Sequence, residues 1–334
     1  MKLNKRIDYL DYGKGFAIIL MVLAHSMSGD NPIKTWIESF FMPIFFVISG
    51  MLLYIRFNSE MTKSDLWNLF KKRIFQLGIP YIVFSLLISA YYLLIQVVSG
   101  SPIKLSNYLI SIITLHGIES MWFIPCIFVA ELLLGLVLCY RWKGRYIAGG
   151  FAILTIIFIT LFTDNMPENE SLRLLIVWSV GFLFEYIGML VAKYRVIERT
   201  NIIIGVLLAV AGVVLAEING PIGMAALDFK NGLLTVLNAT ITSIAILTIF
   251  AYFDKNVQHR LRFLIFTGKD SIVILCTNNL LIEIFRLLDY RLTGNVFLGL
   301  GIPGAFMFAA IIMVFEVLII FLSHTRIKVI FGKK

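Results

Sequence analysis

The chain has 334 residues, of which 59% are hydrophobic and only 15% are charged, and its formal net charge at pH 7 is +9. About 25% of the residues of an ordinary soluble domain are charged. This composition, with a mean hydropathy of +0.90, therefore excludes such a domain and predicts an integral membrane protein. The positive charge requires no nucleic-acid partner, because basic cytoplasmic loops that face anionic lipid account for most of it.

Ten apolar segments are long enough to cross a bilayer, which takes about 20 helical residues. They cover residues 12–29, 37–55, 75–98, 120–140, 147–163, 172–192, 202–218, 232–252, 263–285 and 296–322. Lysine and arginine concentrate in alternate loops, with Arg286 and Arg291 in the last outer loop as the exception, so we expect both termini in the cytoplasm. The predicted fold is an all-α polytopic protein of the cell (inner or plasma) membrane with about ten transmembrane helices. Residues 1–334 are expected to form a single membrane-embedded domain.

The first apolar segment carries three ionisable residues on one side. Lys14 and His25 are eleven residues apart, which at about 100° per residue leaves them within about 20° of one face and about 16 Å apart along the axis. Asp11 lies about 40° from the same line. Ionisable side chains inside a membrane are energetically costly and are by default candidates for function. His25 is therefore either a functional group or a hydrogen-bond partner of a neighbouring helix.

Five short motifs extend from the first predicted helix to the ninth. They are Leu10-Asp11-x-x-Lys14-x-x-Ala17 followed by His25, Phe45-Phe46-Val47-Ile48-Ser49-Gly50, Lys72-Arg73 running to Ile79-Pro80-Tyr81, Met121-Trp122-Phe123-Ile124-Pro125, and Gly268-Lys269-Asp270-Ser271-Ile272-Val273-Ile274. In this order the motifs resemble the membrane acyltransferase 3 family, and within it the fucose O-acetyltransferase type.

The resemblance implies transfer of an acyl group, usually acetyl from acetyl-CoA or another acyl-CoA co-substrate, to a hydroxyl of a carbohydrate or glycolipid. A sugar hydroxyl is a poor nucleophile until a base removes its proton, and histidine, with an unperturbed pKa of about 6.5, suits this task near neutral pH. His25 is therefore the expected general base. We expect Lys14 to contact the donor or to extend towards the membrane interface. Asp11 is expected to orient Lys14 or to cap the helix.

A basic group precedes the third apolar segment and is cytoplasmic by the charge rule. Under the resemblance, Lys72 and Arg73 bind donor phosphates, for which an arginine offers a bidentate contact; a solvated cluster that only sets topology is the alternative. The family commonly has a second arginine three residues later, where this chain has Gln76.

Three further residues are candidates for substrate binding. Trp122 belongs either to the interfacial aromatic belt or to a surface on which a sugar ring stacks. Glu131 lies mid-span, where it should be protonated or paired with a cation such as Lys14 or Arg73. Asn278 stands where the family often has a histidine, and it is expected either to position the substrate or to join two helices.

Two other functions stay open from the sequence. A polysaccharide or lipid-linked sugar exporter would also be a polytopic helical protein, but transporters usually contain corresponding interrupted helices in two halves. The chain has a Pro43-to-Gly50 interruption in its first half and no counterpart in the second. A peptidoglycan or lipid O-acyltransferase would differ only in its acceptor.

No metal site is expected, because the histidines are scattered. Membrane lipids are expected partners, and homo-oligomerisation is left open.

Overall fold

The computed structural model describes residues 7–57, 60–163, 165–256, 261–296 and 298–333. It is 80% helical. Within these ranges no β-strand is formed, and one isolated bridge joins Gly223 to Asp228. The prediction of an all-α polytopic membrane protein is confirmed, whereas the cytoplasmic location of the termini stays a prediction.

The described residues form fifteen α-helices. In chain order they are α1 (Asp8–Ser26), α2 (Pro32–Glu38), α3 (Pro43–Phe57), α4 (Lys63–Arg73), α5 (Ile79–Ser99), α6 (Leu105–Ile113), α7 (Phe123–Cys139), α8 (Arg141–Leu161), α9 (Glu170–Lys193), α10 (Val196–Arg199), α11 (Ile202–Asn219), α12 (Gly232–Asn256), α13 (Arg262–Lys269), α14 (Ser271–Thr293) and α15 (Gly301–Leu322). A π-helical turn, Ile74–Gly78, joins α4 to α5, and 3₁₀ turns cover Glu119–Trp122 and Lys328–Phe331.

Nine stretches of the described residues are long and apolar enough to cross a membrane. They are Pro32–Phe57, Lys63–Ser99, Glu119–Cys139, Lys143–Leu161, Glu170–Lys193, Ile202–Asn219, Gly232–Asn256, Ser271–Thr293 and Gly301–Leu322. The remaining predicted span corresponds to α1, whose 19 residues reach about 28 Å. α1 is not among these nine stretches, and it contains the charged residues Asp8, Asp11 and Lys14.

The last two predicted spans begin at the wrong residues. The segment predicted as 263–285 contains two helices, because Asp270, at φ −106° and ψ 21°, leaves the helical conformation between α13 and α14. In the segment predicted as 296–322, the helix α15 begins at Gly301. Gly299 and Gly301 there adopt φ values of 84° and 65°, a left-handed conformation that ends regular structure and favours glycine.

Contacts divide the chain into two compact units, each assembled from three stretches. The first unit contains Met1–Ala24, Gly29–Asn68 and Val129–Lys269, and the second contains His25–Ser28, Leu69–Phe128 and Asp270–Lys334. The single domain expected for residues 1–334 stays a prediction.

Glycines permit close helix packing in the first unit. A Cβ atom at Gly50 would overlap the carbonyl group of Glu185, and one at Gly188 would overlap that of Val47, so α3 and α9 approach backbone to backbone. Small residues commonly allow such contacts between membrane helices. Gly268 in α13 meets the carbonyl group of Asp11 in the same way. The glycine of the motif that begins at Gly268 therefore allows α13 to pack directly on α1.

Side-chain hydrogen bonds connect the elements of the second unit. Tyr81 of α5 donates to the carbonyl of Ile112 at 2.9 Å, and Ser120 donates to the carbonyl of Leu275 at 2.9 Å. The second bond fixes the 3₁₀ turn Glu119–Trp122 to α14. It therefore determines which residues of that turn lie beside the middle of α14.

Candidate active site

His25 lies at the end of α1 and contacts an asparagine 253 positions away in the sequence. Its Nδ1 atom is 2.9 Å from the Nδ2 atom of Asn278, whose side chain is fully buried. His25 as a whole residue is only partly buried. One nitrogen of its ring is therefore held inside the second unit, although the residue is not fully buried.

The orientation of the Asn278 amide selects the tautomer of His25. An amide nitrogen only donates hydrogen bonds, so with Nδ2 facing the ring, Nδ1 accepts and a neutral imidazole carries its proton on Nε2. Rotation of the amide by 180° would place Oδ1 on Nδ1, and a neutral imidazole would then carry its proton on Nδ1 and its lone pair on Nε2. Asn278 Nδ2 also donates to Oδ1 of Asn279 at 3.1 Å, so both amides must rotate together. The Asn278 amide can thus form a hydrogen bond with Nδ1 of His25 whether or not that atom carries a proton.

Arg286 supports the same end of α1. Its Nη2 atom donates to the carbonyl oxygen of His25 at 3.1 Å, and its Nη1 atom lies 4.0 Å from Oε1 of Glu283. The last carbonyls of a helix have no partner within it and are favoured by a nearby positive charge. Sequence reasoning treated Arg286 only as an exception to the loop charges, and the structure gives it a contact with the predicted base.

Lys14 and Asp11 form an ion pair in the first unit. The Lys14 Nζ atom is 2.8 Å from Oδ1 of Asp11, whose side chain is nearly buried, whereas Lys14 is about one quarter exposed. The contact that was expected to orient Lys14 is therefore present.

Arg73 lies where α4 passes into the π-helical turn. Its Nη1 atom donates to Oε1 of Gln76 at 3.2 Å, so the residue that replaces the family's second arginine contacts the first one. Lys72 is exposed. Pro80 follows the turn and has no N–H to donate to Gln76, and such a loss favours local widening of a helix.

The two remaining candidates lie in different units. Glu131 is buried in the first unit, where Ser49 of the Phe45–Gly50 motif donates to its Oε1 atom at 2.7 Å. This serine was not among the expected partners of Glu131. Trp122 is half-buried in the second unit, and its ring meets that of Phe123 edge-on at 6.1 Å. The predicted substrate contacts of both residues stay predictions.

Comparison with protein families shows which family the chain belongs to. The family model for the acyltransferase domain, acyltransferase 3, matches residues 7–323. The chain belongs to this family. It is therefore a multi-pass membrane acyltransferase. Neither the comparison with curated proteins nor that with solved structures found a match, and the fucose O-acetyltransferase type stays a prediction.

Two buried carboxyl groups of this acyltransferase were missed by sequence reasoning. Glu185 in α9 and Glu316 in α15 are both fully buried, and each interrupts an apolar run, which is the signal that singled out Glu131. Thr277, the neighbour of Asn278, donates to Oε2 of Glu316 at 2.7 Å. Among the described residues no group of three His, Cys, Asp or Glu side chains could hold a metal ion.

Proposed function

We propose that this acyltransferase moves an acyl group, acetyl by resemblance, from acyl-CoA to a hydroxyl of a cell-surface carbohydrate or lipid-linked sugar. His25 acts as the general base. The observation that carries this proposal is the 2.9 Å contact between His25 Nδ1 and the buried Asn278 amide. It holds one ring nitrogen, and His25 as a whole residue is only partly buried, as a base that must meet a substrate requires.

The proposed reaction joins the acceptor oxygen to the acyl carbon. With the Asn278 amide rotated so that its Oδ1 atom faces Nδ1, the neutral ring carries its lone pair on Nε2. His25 Nε2 then takes the hydroxyl proton while the oxygen attacks the thioester carbonyl, and the C–O bond forms as the C–S bond breaks. The proton then passes from the imidazolium to the departing CoA thiolate, which restores the neutral ring. A positioned base of this kind is worth about 10²–10⁴ in rate.

The donor is proposed to approach along α1. Lys14 and His25 belong to one uninterrupted helix, so they are about 16 Å apart along its axis. A CoA ester carries its phosphates on one end of a long pantetheine arm and its thioester on the other. A phosphate near Lys14 would thus place the reacting carbon towards His25. Lys72 and Arg73 are proposed as further donor contacts, because charge-assisted bonds to phosphate are strong.

The decisive experiment is acyl transfer by the purified full chain. The protein in detergent is given acetyl-CoA labelled in the acetyl group together with a panel of glycosides, and labelled glycoside is measured by mass spectrometry. Formation of O-acetylated glycoside supports the proposal. Transport of a lipid-linked sugar by reconstituted protein, with no acetylated product from any acceptor, would instead favour the exporter.

A further inference from the structure

A short turn follows α15 and lies outside the stretch that the family model matches. That stretch ends at residue 323, whereas the described chain continues through the 3₁₀ turn Lys328–Phe331 to residue 333. Residues 328–333 form what we term the C-terminal turn. Its first residues are exposed, but Phe331 and Gly332 are buried and Lys333 is half-buried. The end of the C-terminal turn is therefore packed against the second unit.

An ion pair anchors the C-terminal turn to the residue that precedes α14. The Lys333 Nζ atom donates to Oδ1 of Asp270 at 2.5 Å and to Oγ of Ser323 at 2.6 Å. The side chain of Asp270 is 8% exposed and that of Lys333 is 20% exposed, and water screens a partly buried pair less than an exposed one. Asp270 belongs to the motif that begins at Gly268. The anchor therefore joins the C-terminal turn to one of the family motifs.

The C-terminal turn also meets the π-helical turn that follows Arg73. A Cβ atom at Gly332 would overlap the carbonyl group of Gln76, so the two backbones are in direct contact. Gly332 adopts a φ of 67°, a left-handed conformation that favours glycine. The neighbouring Phe331 is buried, and its ring centroid lies 5.1 Å from that of Phe84 in α5. These contacts hold the C-terminal turn against the backbone of Gln76.

We propose that the C-terminal turn is a positioning element that holds Arg73 in place for the acyl-CoA donor, an inference that rests on the proposed function. Gln76 is the link, because its backbone meets Gly332 and its side chain accepts a hydrogen bond from Arg73 at 3.2 Å. Pro80 has no N–H for the Gln76 carbonyl, so regular helical hydrogen bonds alone do not fix this turn. A guanidinium binds phosphate through two N–H groups only when its plane is correctly oriented. The C-terminal turn acts on that orientation without touching the donor.

The test measures the affinity of the purified full chain in detergent for acetyl-CoA. Gly332→Ala adds a Cβ atom that displaces the C-terminal turn from Gln76, and it should weaken acetyl-CoA binding about tenfold, equivalent to about 1.4 kcal/mol. Lys333→Ala removes only a partly exposed anchor and should weaken binding about threefold; Lys333→Arg keeps the charge and should restore most of the affinity. The KM for acetyl-CoA should rise in both weakened variants, whereas kcat should stay near that of the wild type.

Matched controls separate the contact with Gln76 from the chemical change itself. Gly100 has the same φ of 67° as Gly332, but a Cβ atom there meets nothing within 4 Å. Gly100→Ala therefore imposes the same backbone strain without an overlap. Lys328→Ala removes an exposed lysine of the C-terminal turn and leaves the anchor at Asp270 in place. Both controls should bind acetyl-CoA like the wild type.

A double-mutant cycle with Arg73→Ala shows whether the C-terminal turn acts through Arg73. If it does, Gly332→Ala should cause no further loss of acetyl-CoA affinity in the Arg73→Ala protein. The same cycle is run with Lys333→Ala, which introduces no overlap, so the result does not depend on whether Gly332→Ala folds. Additive losses, or wild-type affinity in both single variants of the C-terminal turn, would overturn the inference and leave the proposed function intact. Absence of acetyl-CoA binding by the wild type would instead overturn the proposed function and, with it, this inference.

Discussion

The two ends of α1 hold their ionisable residues in opposite ways. Lys14 is paired at 2.8 Å with a carboxylate, Asp11, so its positive charge faces a negative one. His25 is paired at 2.9 Å with an amide, Asn278. By rotating, this amide can either donate a hydrogen bond to Nδ1 or accept one from it. The first arrangement suits a fixed positive charge, and the second suits a group that gains and loses a proton. Under the proposed function, the same helix would serve two different tasks.

The largest expected effect comes from removing the proposed base. His25→Ala should lower acyl transfer by about 10²–10⁴-fold while acyl-CoA binding stays close to that of the wild type, because a base acts mainly in the transition state. Transfer by the wild type should fall as the pH drops below the ordinary range of histidine ionisation, since the imidazolium has no lone pair. His116→Ala, which changes another half-buried histidine, is the control. A folded His25→Ala protein with wild-type transfer would remove His25 from catalysis.

The second effect concerns the cations proposed for the donor. Arg73→Ala should weaken acyl-CoA binding by about 2–3 kcal/mol, the value of a hydrogen bond to a charged group, with little change in acceptor affinity. This loss corresponds to a rise in the acyl-CoA dissociation constant of about 30- to 150-fold, measurable by titration of purified protein. Arg326→Ala, an exposed arginine near the C-terminus, serves as the comparison. If Arg73→Ala and Arg326→Ala bind acyl-CoA with equal affinity, Arg73 contributes only to the membrane topology.

The third prediction separates the two roles of Asn278. If Asn278 positions His25, Asn278→Ala should lower kcat about tenfold and leave the KM for the acceptor nearly unchanged. A tenfold loss corresponds to about 1.4 kcal/mol, the contribution of one hydrogen bond. Asn278→Asp would place a negative charge at Nδ1 and favour the imidazolium, so activity should be lost at a higher pH than in the wild type. A rise in the acceptor KM alone, with an unshifted pH profile, would instead indicate direct substrate binding by Asn278.

The sequence predicted the helices far better than the contacts between them. Apolar length predicted most of the membrane-spanning helices, and the family motifs singled out His25 as the candidate base, because both signals are local in the chain. The His25–Asn278 and Ser49–Glu131 contacts join residues 253 and 82 positions apart, and no periodicity encodes such pairs. Glu316 was within reach of the sequence, since a carboxylate inside an apolar helix is costly wherever it occurs.

The smallest effect is expected at Lys14. Lys14→Gln should weaken acyl-CoA binding by about 0.3–1 kcal/mol, because the side chain is partly exposed and its charge is screened by water. Lys14→Arg keeps the charge and should restore most of the affinity.

Asp11→Asn removes the carboxylate that pairs with Lys14. It should change acyl-CoA affinity only if Asp11 orients the lysine for the donor. Combining Asp11→Asn with Lys14→Gln closes a double-mutant cycle in acyl-CoA affinity. A nonzero coupling energy supports a shared donor site, whereas losses confined to thermal stability would show that the pair serves only the packing of α1.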